Sequence, residues 1–137
     1  MKEISFEIIL NQPYDDALDA VNSALQEEGF GILTKIDVKE TLKNKLDKNF
    51  RPYAILGACN PPLAYKALSN VPEIGLFLPC NITVEAASDD KSIVRILDPK
   101  FMVSIDELAK EPLLIEVAED AHNRLVRVAN LLKRSNN

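Results

Sequence analysis

The sequence predicts a single α+β domain, on three observations. Apolar residues alternate with period two over residues 4–10 and 82–97, as strands require. Apolar stripes of helical spacing run through residues 13–29 and 113–134. Short connections carrying Pro, Gly, Asn or Asp separate these segments. At 137 residues, such a domain buries about two-thirds of its unfolded surface and needs no staple.

Ile4, Phe6, Ile8 and Leu10 alternate with Glu3, Ser5, Glu7 and Ile9, giving a first strand with one apolar face. Pro13 suits a helix's first turn and Asp15 and Asp16 its positive end; Tyr14, Ala17, Leu18, Val21 and Leu25 form the stripe. Gly29 is the stop. Phe30 to Ile36 reads as a second strand. Asp37 and Glu40 then stand at capping-box spacing before a helix whose expected buried stripe is Val38, Leu42 and Leu46.

Pro52 holds Arg51 extended, and Tyr53 to Ala58 reads as a short buried strand. Asn60 caps the next helix, with Pro61 at its first position and Leu63, Ala64, Ala67 and Leu68 facing inward. Ile74 to Ala87 reads as one long strand; Pro79, which cannot donate to a ladder, implies an edge position, a bulge or a bend just before Cys80. Ser88-Asp89-Asp90 turns the chain into a partner strand, Ser92 to Leu97, ended by Asp98-Pro99. Lys100 to Pro112 is a connector in which Phe101, Met102 and Val103 tuck inward and Ile105 to Ala109 makes a short turn. The longest helix follows, with Leu114, Val117, Ala118, Ala121, Leu125, Val128 and Leu132 as a continuous stripe that should lie across the sheet. Arg134 to Asn137 is expected to fray.

Charge and hydropathy exclude several functions. The net charge is -5, from 16 basic and 21 acidic residues, and the lysines are scattered, so no phosphate backbone is attracted and nucleic acid is not an expected partner. Apolar runs fall well short of the roughly 18–20 residues that span a bilayer, and Lys2 and Glu3 stand where a secretory segment would be apolar. The chain reads as cytoplasmic, with no membrane partner. There its two cysteines are expected as free thiols, and their spacing matches no zinc finger.

The candidate site comes from a repetition. Two apolar runs each end in Cys-Asn: Ile55-Leu56-Gly57-Ala58-Cys59-Asn60 and Leu76-Phe77-Leu78-Pro79-Cys80-Asn81. Cys59 sits beside a helix N-terminus, where unpaired backbone donors favour anions. Asp37 could be a pocket carboxylate, although capping accounts for it. Lys35 is most simply a solvated strand residue. His122, the one histidine, lies at the border of the long stripe with no Glu or His at helical spacing to complete a ligand set.

Three separated motifs resemble one family. They are Gly29-Phe30-Gly31-Ile32-Leu33-Thr34 with Ile36-Asp37-Val38, then Ile55 to Pro61 with Leu63-Ala64, then Gly75-Leu76 with Leu78-Pro79-Cys80-Asn81. Together they look like the bacterial and archaeal domain of unknown function 302, over essentially the whole chain. The resemblance implies about five strands in a curved, mostly antiparallel sheet with helices packed on one face, a two-layer sandwich that is commonly dimeric. It places the family's hallmarks at Cys59, Asn60, Pro61, Pro79, Cys80 and Asn81, and it implies no established activity or cofactor.

Three functional readings follow. In the first, Cys59, Asn60, Cys80 and Asn81, with Asp37 and Lys35 nearby, surround a pocket for a small ligand or a soft ion such as Cu(I) or Zn(II) held by Cys59 and Cys80. In the second, Cys59 is a nucleophile or redox thiol that Cys80 resolves, assisted by Asp37 or Lys35. In the third, the cysteines are small buried hydrophobes and the chain has a structural or dimerisation role. A homodimer is a separate expectation, implied by the family resemblance and by apolar strands that would otherwise expose an edge.

Overall fold

The structure is a computed structural model that describes residues 4–136. Met1, Lys2, Glu3 and Asn137 lie outside the described residues, and with them part of the first strand's alternation and of both termini.

Five strands form one antiparallel sheet: β1 (Ser5–Leu10), β2 (Gly31–Asp37), β3 (Tyr53–Cys59), β4 (Cys80–Ser88) and β5 (Lys91–Leu97), in the order β1-β5-β4-β3-β2. The chain from β2 to β5 is a meander, and β1 adds to its far side beside β5. Because β1 and β2 occupy opposite edges, the connecting helix α1 (Tyr14–Glu27) crosses the sheet. The long helix α5 (Pro112–Arg134) lies beside it. The paired rows Ile8/Val94, Val84/Val94, Ala54/Val84 and Leu56/Ile82 put one residue in two on a common face. That face meets Ala17, Val21 and Leu25 of α1 and Leu125, Val128 and Leu132 of α5 in the main core. Period-two strands and a 3.6-residue stripe therefore meet as expected.

Pro13 stands at the N-cap of α1 rather than inside its first turn, and Gly29 adopts a positive φ of 81° that ends the helix. Asp37 caps α2 (Val38–Leu46), its carboxylate accepting from the Glu40 N–H at 3.0 Å. The expected burial of Val38, Leu42 and Leu46 does not occur. None is buried, and Leu46 is 62% exposed, because α2 lies at the β2 end of the sheet, outside both core clusters of the described residues.

The expected strand from Ile74 to Ala87 divides. Pro72–Phe77 is a 3-10 segment, with Ile74 N–H bonded to Val71 O and Leu78 N–H to Gly75 O, and the strand begins only at Cys80. A continuous apolar run has no period with which to separate strand from helix, and Pro72 at a helix start and Pro79 before the ladder decide it. β4 is flanked on both sides, so Pro79 marks no edge. Instead the chain bends there, through a cis Leu78–Pro79 peptide, and Pro79 packs over Gly57 of β3. A Cβ on Gly57 would collide with Thr34 Oγ1 and with the proline ring.

The connector folds into a second 3-10 segment, Pro99–Ser104, and a single turn, α4 (Asp106–Ala109). Met102 is buried, Val103 is half-buried, and Phe101 remains 38% exposed rather than tucked in. The C-terminal end does not fray through residue 136. The Asn136 side chain accepts from Asn11 N–H at 2.9 Å and donates to Ile9 O at 2.8 Å, which ties the end of α5 to the end of β1.

On the sheet's other face Glu85 is a buried charged side chain, 4% exposed. Arg51 donates to it at 2.5 Å and Arg95 pairs with its other oxygen while also reaching Glu7 at 3.1 Å. Burial alone would raise the Glu85 pKa, but the hydrogen bonds from Arg95 and Arg51 outweigh it and hold the carboxyl below its ordinary range.

Candidate functional site

The ends of β3 and β4 carry the two Cys-Asn motifs. Register pairs Ala58 with Cys80 and Gly57 with Asn81, so Cys59 and Cys80 are diagonal neighbours on adjacent strands. Helix α3 (Pro61–Asn70) starts directly after β3. It packs against the N-terminal half of α5 and against the 3-10 segment Pro72–Phe77. These parts enclose a cavity of about 300 Å³.

The cavity is lined by nineteen residues, eighteen of them apolar or cysteine. Cys59 and Cys80 lie at the sheet, Leu63, Ala64, Ala67 and Leu68 on α3, and Leu114, Val117, Ala118 and Ala121 on α5. Ile74, Leu78, Pro99 and Met102 come from the 3-10 segments and their flanks. Small residues line it from both helices, Ala64 and Ala67 on α3 and Ala118 and Ala121 on α5. Leu33, 68% exposed, and Leu68, 40% exposed, stand where the lining reaches solvent.

The one polar lining residue, Asn60, is 7% exposed and already engaged. Its oxygen accepts from Leu63 N–H at 3.2 Å, capping α3, and its amide donates to Glu28 O at 3.3 Å, tying α3 to the end of α1. Among the described residues, no charged side chain lines the cavity. The Cys80 thiol is pushed up to about 11, by burial first and by proximity to Cys59 second. Its thiolate is therefore scarce at neutral pH.

The structure brings Cys59, Asn60 and Cys80 to one cavity and leaves the other candidates outside it. Asn81 is exposed on the strand position opposite Gly57. Lys35 is exposed on edge strand β2, and Asp37 is exposed and occupied in capping α2. Among the described residues, no group of three or more His, Cys, Asp or Glu side chains is placed to hold a metal ion.

Sequence reading did not find the walls contributed by Phe30, Leu33, Met102 and the first half of α5. The available signal was the alternation of large and alanine positions on α3 and α5, which periodicity assigns to a core either way. Nor did it find the pairing of His122 Nδ1 with Asp98 Oδ1 at 2.9 Å, because the partners come from different elements. That pair clamps α5 to the end of β5, beside the cavity residues Pro99 and Ala121.

The family model for the domain of unknown function DUF302 matches residues 6–132. The chain belongs to the DUF302 family. Among solved DUF302 structures, the crystal structure of an uncharacterised conserved protein from Bacillus stearothermophilus is 26% identical, with a TM-score of 0.81 over 94% of this chain and 98% of that one. No curated protein matches the sequence. Membership agrees with the five-stranded α+β architecture and transfers no activity. No helix of the described residues is long and apolar enough to cross a membrane.

Proposed function

We propose that this DUF302 domain binds a small, uncharged, apolar molecule in the cavity between α3 and α5. The observation that carries the reading is the lining: about 300 Å³ of space with no charged side chain and a single amide already bonded to backbone. An anionic ligand would lose its hydration there with no cation in compensation, whereas an apolar one gains roughly 25 cal/mol for each Å² removed from water. Among the ligands open to the two Cys-Asn motifs, this places an apolar molecule ahead of a soft ion, since Cu(I) or Zn(II) at Cys59 and Cys80 requires thiolates that burial of Cys80 disfavours. Asn81, Asp37 and Lys35 take no part in this reading.

Titration of the purified chain with the neutral fluorescent probe Nile red, beside an Ala64→Leu variant that fills the cavity from α3, tests this. The native chain should bind stoichiometrically and the variant at least tenfold more weakly with an unchanged circular dichroism spectrum. Equal binding by the two, or none by the native chain, overturns the reading.

We also infer that the single domain works as a cytoplasmic homodimer through edge strand β2 and helix α2. Leu33, Ile36 and Leu46 are 68%, 50% and 62% exposed there, beside an unpaired strand edge that a second copy would cover. Sedimentation should give a dimer that Ile36→Lys converts to monomer; a native chain that sediments as a monomer of 15.3 kDa refutes it.

A further inference from the structure

The two cysteines hold an arrangement that apolar binding does not need. Cys59 is the last residue of β3 and Cys80 the first of β4, offset by one register position. A cross-strand pair spacing of about 5 Å and a rise of about 3.4 Å per residue put their Cα atoms about 6 Å apart. That lies within the range of about 4.4–6.8 Å that disulfides span. Inside a flat sheet, residues offset by one position point to opposite faces. Here both are terminal: the chain turns into the Asn60 cap after Cys59 and bends at Pro79 before Cys80, and both residues line the same cavity.

We propose that Cys59 and Cys80 form a reversible intrachain disulfide on the cavity wall, a redox site that joins the end of β3 to the start of β4. The oxidant is a small-molecule disulfide of the glutathione type. Cys59 gives its proton to water and its thiolate attacks one of the sulfurs; the small S–S bond breaks, a mixed disulfide forms on Cys59, and one half leaves and takes a proton from water. Cys80 then gives its proton to water and attacks Cys59 Sγ. The mixed bond breaks, the Cys59–Cys80 bond forms, and the second half leaves as a thiol. The two protein thiols lose two electrons and two protons, and the small disulfide gains both.

The order of attack follows from the surroundings. Cys59 terminates its strand beside the first turn of α3 and is only partly buried. Cys80 is the weaker first nucleophile at neutral pH, because burial keeps it protonated. In the mixed disulfide its target is held beside it, and effective concentration replaces reactivity.

Equilibration of the full chain in mixtures of reduced and oxidised glutathione, followed by acid quench, alkylation with N-ethylmaleimide and intact-mass analysis, tests the proposal. The expected product is a chain free of intermolecular crosslinks, lighter by two hydrogens, carrying no alkyl group and restored by excess reduced glutathione. The Cys80→Ser variant should stop at one glutathione adduct, on Cys59. Two alkylated thiols at every ratio, adducts without hydrogen loss in the native chain, or crosslinks only between chains would each overturn it. The native mass change decides the matter even if the variant misfolds. Nile red binding is measured on the reduced chain, so a failure of the ligand reading is distinguishable from a failure of this one.

Discussion

Helix α5 carries one unbroken apolar stripe, yet its two halves meet different surroundings. The C-terminal half, Leu125 to Leu132, meets α1 and the sheet's branched rows in a closed core whose members are almost wholly buried. Toward the N-terminus, Leu114 to Ala121 meets alanines of α3 and two 3-10 segments in a smaller cluster beside the cavity. The same periodicity thus closes a core at one end and lines an open cavity at the other. What differs is the size and curvature of the partners, for short segments pinned by Pro72 and Pro99 cannot interdigitate as a helix and a sheet do.

The sharpest way to break this contrast is truncation at each end. Leu125→Ala should cost about 3–4 kcal/mol, because its neighbours surround it and collapse only partly. Leu114→Ala should cost less, about 2 kcal/mol, since part of its surroundings is already empty space. Urea denaturation read as midpoints at constant slope measures both; equal losses would mean that the two halves are equally well packed.

The closed end is also braced on the opposite face by Glu85 with Arg51, Arg95 and Glu7. Removing this buried carboxylate with Glu85→Ala should cost about 2 kcal/mol, below the full cost of breaking a buried pair because Arg51 and Arg95 are partly solvated. The sign of its pH dependence is fixed. A carboxyl held below its unfolded value of about 4.3 stabilises the fold above that pH and loses the contribution as pH falls through the lower folded value. The acid limb of stability should therefore be shallower in Glu85→Gln than in the native chain when melting is followed from pH 6 to pH 2.

At the cavity end, Asn60→Ala removes the α3 cap and the tie to Glu28 and should cost about 1 kcal/mol. Thermal melts resolve that, and an unchanged midpoint would show that the cap contributes nothing. The smallest effect on stability belongs to Ala64→Leu. It adds volume into empty space rather than into packed neighbours and should shift stability by less than about 1 kcal/mol while removing probe binding. A loss of several kcal/mol would show that α3 and α5 have no room between them.

How far the molecule could be read from its sequence varied with the kind of signal. Strands β1 and β5 and helices α1, α3 and α5 were legible because each carries a periodic apolar pattern, and β3 because its short apolar run is bounded by Pro52 and by Asn60-Pro61. The Ile74–Ala87 segment misled because its first half is apolar without a period. The α2 stripe misled for another reason: the pattern at Val38, Leu42 and Leu46 is real, but whether anything covers it depends on its place at the sheet edge. At the site, the Cys-Asn repetition pointed to Cys59, Asn60 and Cys80, while Asn81 continues down β4 and Asp37 is absorbed by capping.

Local chemistry alone therefore determined where helices begin and end and which of their faces are apolar, since dihedral preference and capping act over a few residues. Strand order, the burial of Glu85 and the gap between α3 and α5 were decided only in three dimensions. Each depends on which distant side chains arrive opposite one another and on whether their volumes fill the space between, and no stretch of chain encodes that by itself.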